Sequence, residues 1–244
     1  GGLGFIGSNL VDQLILKGKK VIVIDDLSTG LKLNKNKKAN YIYHDIRFYL
    51  KKPRLLVNLI KKYKIKIVFH LAASADVRLS MKHPEEVFEI NLLSSITLFN
   101  IAINHGVKKF IFTSTSAVYG EPNYFPVNEK HPIDPISTYG LSKLAFEKYI
   151  YLTSLKTDIS TIIFRLPNVY GQRQRSDLEA GVIAIFDEQM RIKKKVTIYG
   201  DGHQSRDWVH VNDIVNALTK SIKIKLGFEI IGLGSRKKYT VNQL

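Results

Sequence analysis

The chain has 244 residues, 45% hydrophobic and 24% charged, with no cysteine and a formal net charge of +16, a balance that suits one large globular domain or two small ones. The missing thiols exclude disulfides and thiolate metal sites and fit a reducing, cytoplasmic setting, the start lacks a signal-peptide pattern, and no uninterrupted apolar run approaches the ~18 residues of a membrane span. The lysines are scattered rather than clustered, so they point to compositional drift and not to a nucleic-acid surface, while their field favours a ligand that carries a diphosphate.

The elements in chain order alternate between helical and β-branched patterns, the mark of a parallel α/β sheet. Residues 1–7 form a G-x-x-G-x-x-G turn that opens a helix over 7–17. A strand over 21–25 follows and ends on Asp25. Next come a strand over 40–43, a helix over 53–64, a strand over 67–71 and a long helix over 85–105. A strand over 110–114, a helix over 138–155 and a strand over 161–166 complete the regular alternation. Helices over 178–191 and 212–225 lie in the last third. The stretches 32–38 and 120–135 read as exposed loops, the second because of its four prolines. Gly1 falls where a strand would already have delivered the chain into a turn. Leu244 falls where a helix is starting. The expectation is therefore a chain truncated at both ends, without a central first strand whose absence leaves its neighbours' edges unpaired.

Two patterns carry chemistry. In the first, glycines let a backbone approach a pyrophosphate, and the helix that follows offers free N–H groups and a partial positive charge. An acid at the end of the next strand, Asp25, accepts hydrogen bonds from an adenosine ribose and repels a 2′-phosphate, which favours NAD over NADP. In the second, Tyr139 and Lys143 stand four apart on one helix face. A tyrosine ordinarily ionises near pH 10. A neighbouring ammonium favours the phenolate and fits Tyr139 for work as a base. Upstream, the strand over 110–114 runs into a hydroxyl cluster, where Thr115 can hydrogen-bond a reacting sugar hydroxyl. His70 reads as a satisfied core histidine, and the seven scattered histidines make no metal site.

With these pieces in this order, the chain resembles the extended short-chain dehydrogenase/reductases that act on sugar nucleotides. Further segments agree: Asp45-Ile46-Arg47, His70-Leu71-Ala72-Ala73, Arg165-Leu166-Pro167-Asn168 and Arg206-Asp207-Trp208. The resemblance implies a Rossmann-type doubly wound parallel sheet over 1–169 and a small, interleaved substrate-binding region over 170–244. It implies that Gly1, Gly4, Phe5 and Ile6 hold the cofactor pyrophosphate and that Asp25, Asp26, Ser28, Thr29 and Gly30 surround the ribose. Asp45 and Ile46 then contact adenine, and Leu71, Ala72, Ala73 and Asn91 line the cleft. Pro167 stands near the nicotinamide, where many relatives carry an aromatic. Thr115, Tyr139 and Lys143 form the catalytic set. Asn168 and Arg206 contact the substrate diphosphate, and 178–182 and 197–199, with Val182 and Tyr199, cradle its base. The helices over 85–105 and 138–155 pair across a homodimer.

The stretch 172–186 resembles most closely the bacterial and archaeal 4-epimerases of UDP-glucose. The implied reaction is C4 epimerisation of a UDP-hexose through a transient 4-keto sugar. Related 4,6-dehydratases carry an Asp-Glu pair directly after the catalytic threonine. Here Ser116 and Ala117 stand there, and neither moves a proton at neutral pH. The rivals are another NAD-dependent epimerase, dehydratase or decarboxylase of the family and, from another class, a non-catalytic NAD- or RNA-binding protein.

Overall fold

Period-two alternation along the strands decides the architecture, because it sends successive side chains to opposite faces of a sheet. The computed structural model describes residues 1–178, 181–224 and 227–244. Its first half contains α1 (Phe5–Leu16), β1 (Ile22–Asp25), β2 (Asn40–Tyr43), α2 (Phe48–Lys51), α3 (Pro53–Lys62), β3 (Ile67–His70), α4 (Val77–Lys82), α5 (Pro84–Phe88), α6 (Ser94–Asn104) and β4 (Lys109–Thr115). The second half contains α7 (Thr138–Ser154), β5 (Ser160–Leu166), β6 (Asn168–Tyr170), α8 (Val182–Arg191), β7 (Ser205–Arg206), β8 (Trp208–His210), α9 (Val211–Lys220), β9 (Phe228–Gly232) and β10 (Tyr239–Thr240).

Strands β3, β4, β5 and β9 form a parallel sheet in the spatial order β3-β4-β5-β9, while β1 and β2 form a separate parallel pair. Phe110, Phe112 and Ile163 face one side, against Leu56 and Ile60 of α3, Phe99 of α6, and Phe146 and Ile150 of α7. Ile111, Ile162 and Phe164 face the other side, against Leu10 and Leu14 of α1 and Ile214, Val215 and Leu218 of α9. Each fully buried side chain of this size is worth about 1.5–3 kcal/mol, so helices are fixed on both faces. The result is the expected doubly wound α/β sheet. The turn over 1–4 lies between the two sheet blocks: the Gly1 nitrogen donates to the Ile24 carbonyl at 2.6 Å, and a Cβ on Gly1 would stand 2.7 Å from the Ala72 nitrogen.

Several expected boundaries shift for physical reasons. The helix over 85–105 is α5 and α6 joined by a π-helical turn, Glu89–Leu93. The wider turn carries Asn91 inward, where its side chain bonds both backbone groups of Ser74. This composite helix, Pro84–Asn104, spans 21 residues, and its most apolar 18-residue window has mean hydropathy 1.4, enough to cross a membrane by length and composition. A search for uninterrupted apolar runs misses it. In the fold it is a core helix, with Val87, Asn91, Ser94, Ser95, Phe99 and Ala102 buried. Helix α9 stops at Lys220 instead of 225, because the Lys109 ammonium accepts the role of a cap and donates to the carbonyls of Ser221, Ile222 and Ile224. Helix α8 begins at Val182. Of the segments expected to be helical, Glu179, Ala180 and Lys225 lie outside the described residues. The short strands β6, β7, β8 and β10 and the edge strand β9 are absent from the sequence expectation.

Candidate active site

Parallel register brings the carboxyl ends of three strands to one edge: His70 pairs with Phe112, and Thr115 pairs with Leu166. That edge is where open α/β sheets bind ligands. The residues that leave it are the ones the sequence singles out.

At the cofactor side, helix α1 starts after Gly4, whose side is bare of any capping side chain. Its first N–H groups therefore have no side-chain partner at the cap. A Cβ on Gly7 would stand 1.9 Å from the Gly1 carbonyl oxygen, whereas one on Gly4 would meet nothing nearer than that same oxygen at 3.7 Å. Gly7 is thus demanded by the turn itself, and Gly4 keeps an open approach for a ligand. Asp25 is 5% exposed. Its carboxylate accepts from the Leu3 amide at 2.8 Å and from the Leu27 amide at 2.9 Å, tying the glycine turn to the loop after β1. Asp26 accepts from the Ser28 amide and hydroxyl, and Ser28 and Thr29 are exposed beside it. Asp45 is clasped by Arg47 at 2.6 Å, and Arg47 reaches Glu86 of α5 at 3.1 Å; Asp45 is held below its ordinary pKa by the Arg47 bonds, which outweigh an opposing burial effect. A cradle of close backbone, open helix N–H groups and a fixed carboxylate fits a dinucleotide, with Phe5, Ile6, Ile46, Leu71, Ala72 and Ala73 all half-buried around it.

Asn91 is buried, and its amide bonds go to Ser74 and, at 3.0 Å, to the Ser142 hydroxyl. It braces the segment after β3 against α7. His70 is the satisfied core histidine expected: its Nε2 pairs with the Ser95 hydroxyl at 2.7 Å. Burial holds its pKa well below the ordinary value, and the Lys143 charge adds to that.

At the reaction centre, α7 is capped by the Ser137 hydroxyl, which accepts from the Gly140 amide, and Tyr139 and Lys143 follow within its first two turns. The Tyr139 amide donates to Ser80 of α4. Lys143 is fully buried. Its ammonium donates to the Thr113 carbonyl at 3.0 Å and sits 4.7 Å from the centre of the Phe112 ring. Burial lowers its pKa to about 7, against an opposing pull from Glu147. Thr115 Oγ accepts from the Ala117 amide at 3.1 Å, which leaves the hydroxyl proton free to point at a ligand. Ser116 and Ala117 continue into a short 3-10 turn ending at Tyr119, with no carboxylate at either position.

On the substrate side, Asn168, Val182, Tyr199 and Arg206 border one cavity of about 290 Å³. Phe186, Trp208 and Val241 line it as well and were not anticipated from the sequence. Pro167 lies between β5 and β6, directly before Asn168. Among the described residues no cluster of potential ligands could hold a metal ion.

Sequence reading also misses a buried trio. Arg165 donates to Glu147 at 2.7 Å through Nη2 and to the Tyr119 hydroxyl at 3.1 Å through Nη1. Glu147 follows Lys143 by four residues, just as Lys143 follows Tyr139. A polar stripe running down an otherwise apolar helix face is the signal that could have found it.

The chain matches the NAD-dependent epimerase/dehydratase family over residues 1–229. It is 42% identical over 245 residues to a putative UDP-glucose 4-epimerase of Methanocaldococcus jannaschii, with 100% of this chain and 78% of that protein covered. The crystal structure of a UDP-glucose 4-epimerase with UDP-glucose from Thermotoga maritima aligns with a TM-score of 0.94 at 38% identity, over 100% of this chain and 78% of the other. A UDP-glucose 4-epimerase of Thermus thermophilus in complex with NAD aligns with a TM-score of 0.91 at 34% identity, over 99% and 78%.

Proposed function

The chain belongs to the NAD-dependent epimerase/dehydratase family, and on that footing we propose that it is an isomerase that inverts C4 of a UDP-hexose, interconverting UDP-glucose and UDP-galactose. The observation that carries this reading is that Lys143, one helical turn after Tyr139 on α7, donates to the Thr113 carbonyl two residues before Thr115 on β4, with no acid at Ser116 or Ala117. NAD, when bound, supplies a hydride acceptor and donor. The turn over 1–7 holds its pyrophosphate, Asp25, Asp26, Ser28, Thr29 and Gly30 its ribose, and Asp45 and Ile46 its adenine, while Pro167 flanks the nicotinamide.

The protein's own groups handle the proton. Tyr139 takes it from the sugar 4-hydroxyl and returns it at the end of the cycle. Thr115 donates a hydrogen bond that orients the sugar. The Lys143 ammonium, screened from water, favours the phenolate form of Tyr139. Asn168 and Arg206 hold the diphosphate beside the cavity that takes the uracil, bordered by Val182 and Tyr199. Residues 170–244 serve this substrate side, although α9 and β9 return to the sheet. A 4-keto sugar formed here has no neighbouring acid to expel its 6-hydroxyl, so regeneration of the alcohol is the open course.

The same reading includes a homodimer. Leu93 at the end of the π-helical turn before α6, and Leu141, Tyr151 and Leu152 on α7, are large apolar side chains left exposed, and they support pairing of these helices with a second copy. It also places the enzyme in the cytoplasm, where charged NAD and nucleotide sugars are held together by their inability to cross a bilayer. Turnover of UDP-galactose and UDP-N-acetylgalactosamine by the full chain tests the function. Product from either supports it, and no product from both refutes it.

A further inference from the structure

Arg165 touches three segments that each deliver a piece of the reaction centre. It stands on β5, two residues before Pro167 and three before Asn168. Its guanidinium grips Glu147 through Nε at 3.2 Å and Nη2 at 2.7 Å, and Glu147 lies one helical turn beyond Lys143 on α7. Through Nη1 it holds the Tyr119 hydroxyl at 3.1 Å, four residues past Thr115, with the guanidinium also 4.9 Å from the Tyr119 ring centre. The main chain of Arg165 pairs with Ser114 on one side and Gly232 on the other. Arg165 and Glu147 are 3% and 1% exposed, and Phe146, Ile150 and Ile163 on the same two elements are buried as well.

A buried ion pair is a poor way to add stability, because desolvation of both charges offsets their attraction and an apolar pair of similar volume does as well. Its worth lies in geometry, since a bidentate fork fixes distance and orientation where apolar contacts tolerate sliding. We propose that the Arg165–Glu147 pair, closed by the Tyr119 hydroxyl, is the positioning device of the reaction centre, setting the spacing of Thr115 against Tyr139 and Lys143 and placing a fixed negative charge one helical turn from the Lys143 ammonium. This rests on the functional reading above and names residues that it does not use. None of the three is a catalytic residue; each acts through Lys143, Tyr139 or Thr115.

The ionisable groups around Lys143 are Tyr139 and Glu147 on its own helix, His70 on β3, Arg165 on β5 and Tyr119 after β4. Of these, Glu147 raises the affinity of Lys143 for its proton. Removing that charge makes Lys143 lose its proton at lower pH, and the freed Arg165 charge acts in the same direction.

The test compares full-chain Glu147→Gln and Tyr119→Phe with the parent, measuring kcat, KM for UDP-galactose, retained NAD and the pH profile of kcat. Small misplacements of reacting groups cost up to about 10²-fold. Glu147→Gln is expected to lose about that much in kcat, with KM within about 2-fold, NAD retained, and the alkaline limb of the profile moved to lower pH. Tyr119→Phe, which keeps the ring and loses a single hydrogen bond, is expected to lose about 10-fold in kcat with the limb in place. A folded Glu147→Gln protein with parental kcat and an unmoved limb overturns the proposal. If that variant does not fold, parental kcat in Tyr119→Phe overturns it instead. A parent chain that retains NAD yet does not epimerise overturns the functional reading, a result separate from any difference between parent and variants.

Discussion

The Lys143 ammonium donates to the Thr113 carbonyl at 3.0 Å, so α7, the helix of Tyr139, is stitched to strand β4 two residues before Thr115. A hydrogen bond thereby joins the two elements that the proposed reaction needs side by side. The ammonium is held away from water, which strengthens every charge interaction it makes.

Tyr139→Phe keeps the ring and removes the proton acceptor. General acid–base catalysis contributes roughly 10²–10⁴-fold, so turnover should fall by about that factor while bound NAD persists. Thr115→Val should cost less, because an orienting hydrogen bond is lost and the base remains. Steady-state turnover with quantified NAD content checks both, and a Tyr139→Phe variant with parental turnover would place the base elsewhere.

The two glycines of the phosphate turn should separate fold from function. Gly7→Ala puts a methyl 1.9 Å from the Gly1 carbonyl oxygen, an overlap that costs about 1–3 kcal/mol; its thermal midpoint should drop. Gly4→Ala meets only ordinary contact at 3.7 Å, so it should melt like the parent and yet lose cofactor, because the methyl intrudes on the approach to the helix N-terminus. Thermal melts and released nucleotide, measured side by side, distinguish the two.

These positions also mark what was legible in the sequence. Spacing together with the flanking strand and helix patterns exposes Gly1–Gly7, Asp25, and Tyr139 with Lys143, because a tight turn and a helix face impose fixed offsets. Strands β4 and β5 are legible because both their faces are buried and they read as apolar runs. Arg165 and Glu147 lie 18 residues apart in sequence, and Tyr119 a further 28 from Glu147's side of the helix by simple count, so no local offset announces their contact. The π-helical turn at Asn91 is equally silent, since it depends on Ser74 and Ser142 arriving from elsewhere. The strands β6, β7, β8 and β10 are too short, at two or three residues, to carry a periodic signal.

The cofactor should be NAD rather than NADP. Asp25 is a buried carboxylate at the end of β1, tied to the glycine turn through the Leu3 amide, and in the proposed cradle it would repel a 2′-phosphate. A cycle with no net oxidation also leaves the cofactor in place. Denaturing the purified full chain should release NAD, and NADP in that fraction would refute the assignment.

His70 gives a pH signature of stability. Burial keeps its folded-state pKa well below the ordinary 6.5, so below about 6.5 the unfolded chain binds a proton that the folded chain refuses. Stability must then fall as pH drops through that value, by up to about 1.4 kcal/mol per pH unit from this one group. Above it the group contributes no pH dependence. Denaturant unfolding of the parent and His70→Asn across this range should show a shallower acid slope in the variant; equal slopes would mean that His70 is protonated in the fold.

The central claim is that hydrogen leaves C4 as a hydride and returns to the other face without meeting water. Incubating the full chain with UDP-glucose in D2O and following the mixture by NMR tests it directly. The account predicts UDP-galactose that carries protium at C4, with no other sugar accumulating. Deuterium at C4 of the product, or a 6-deoxy methyl signal, would contradict it.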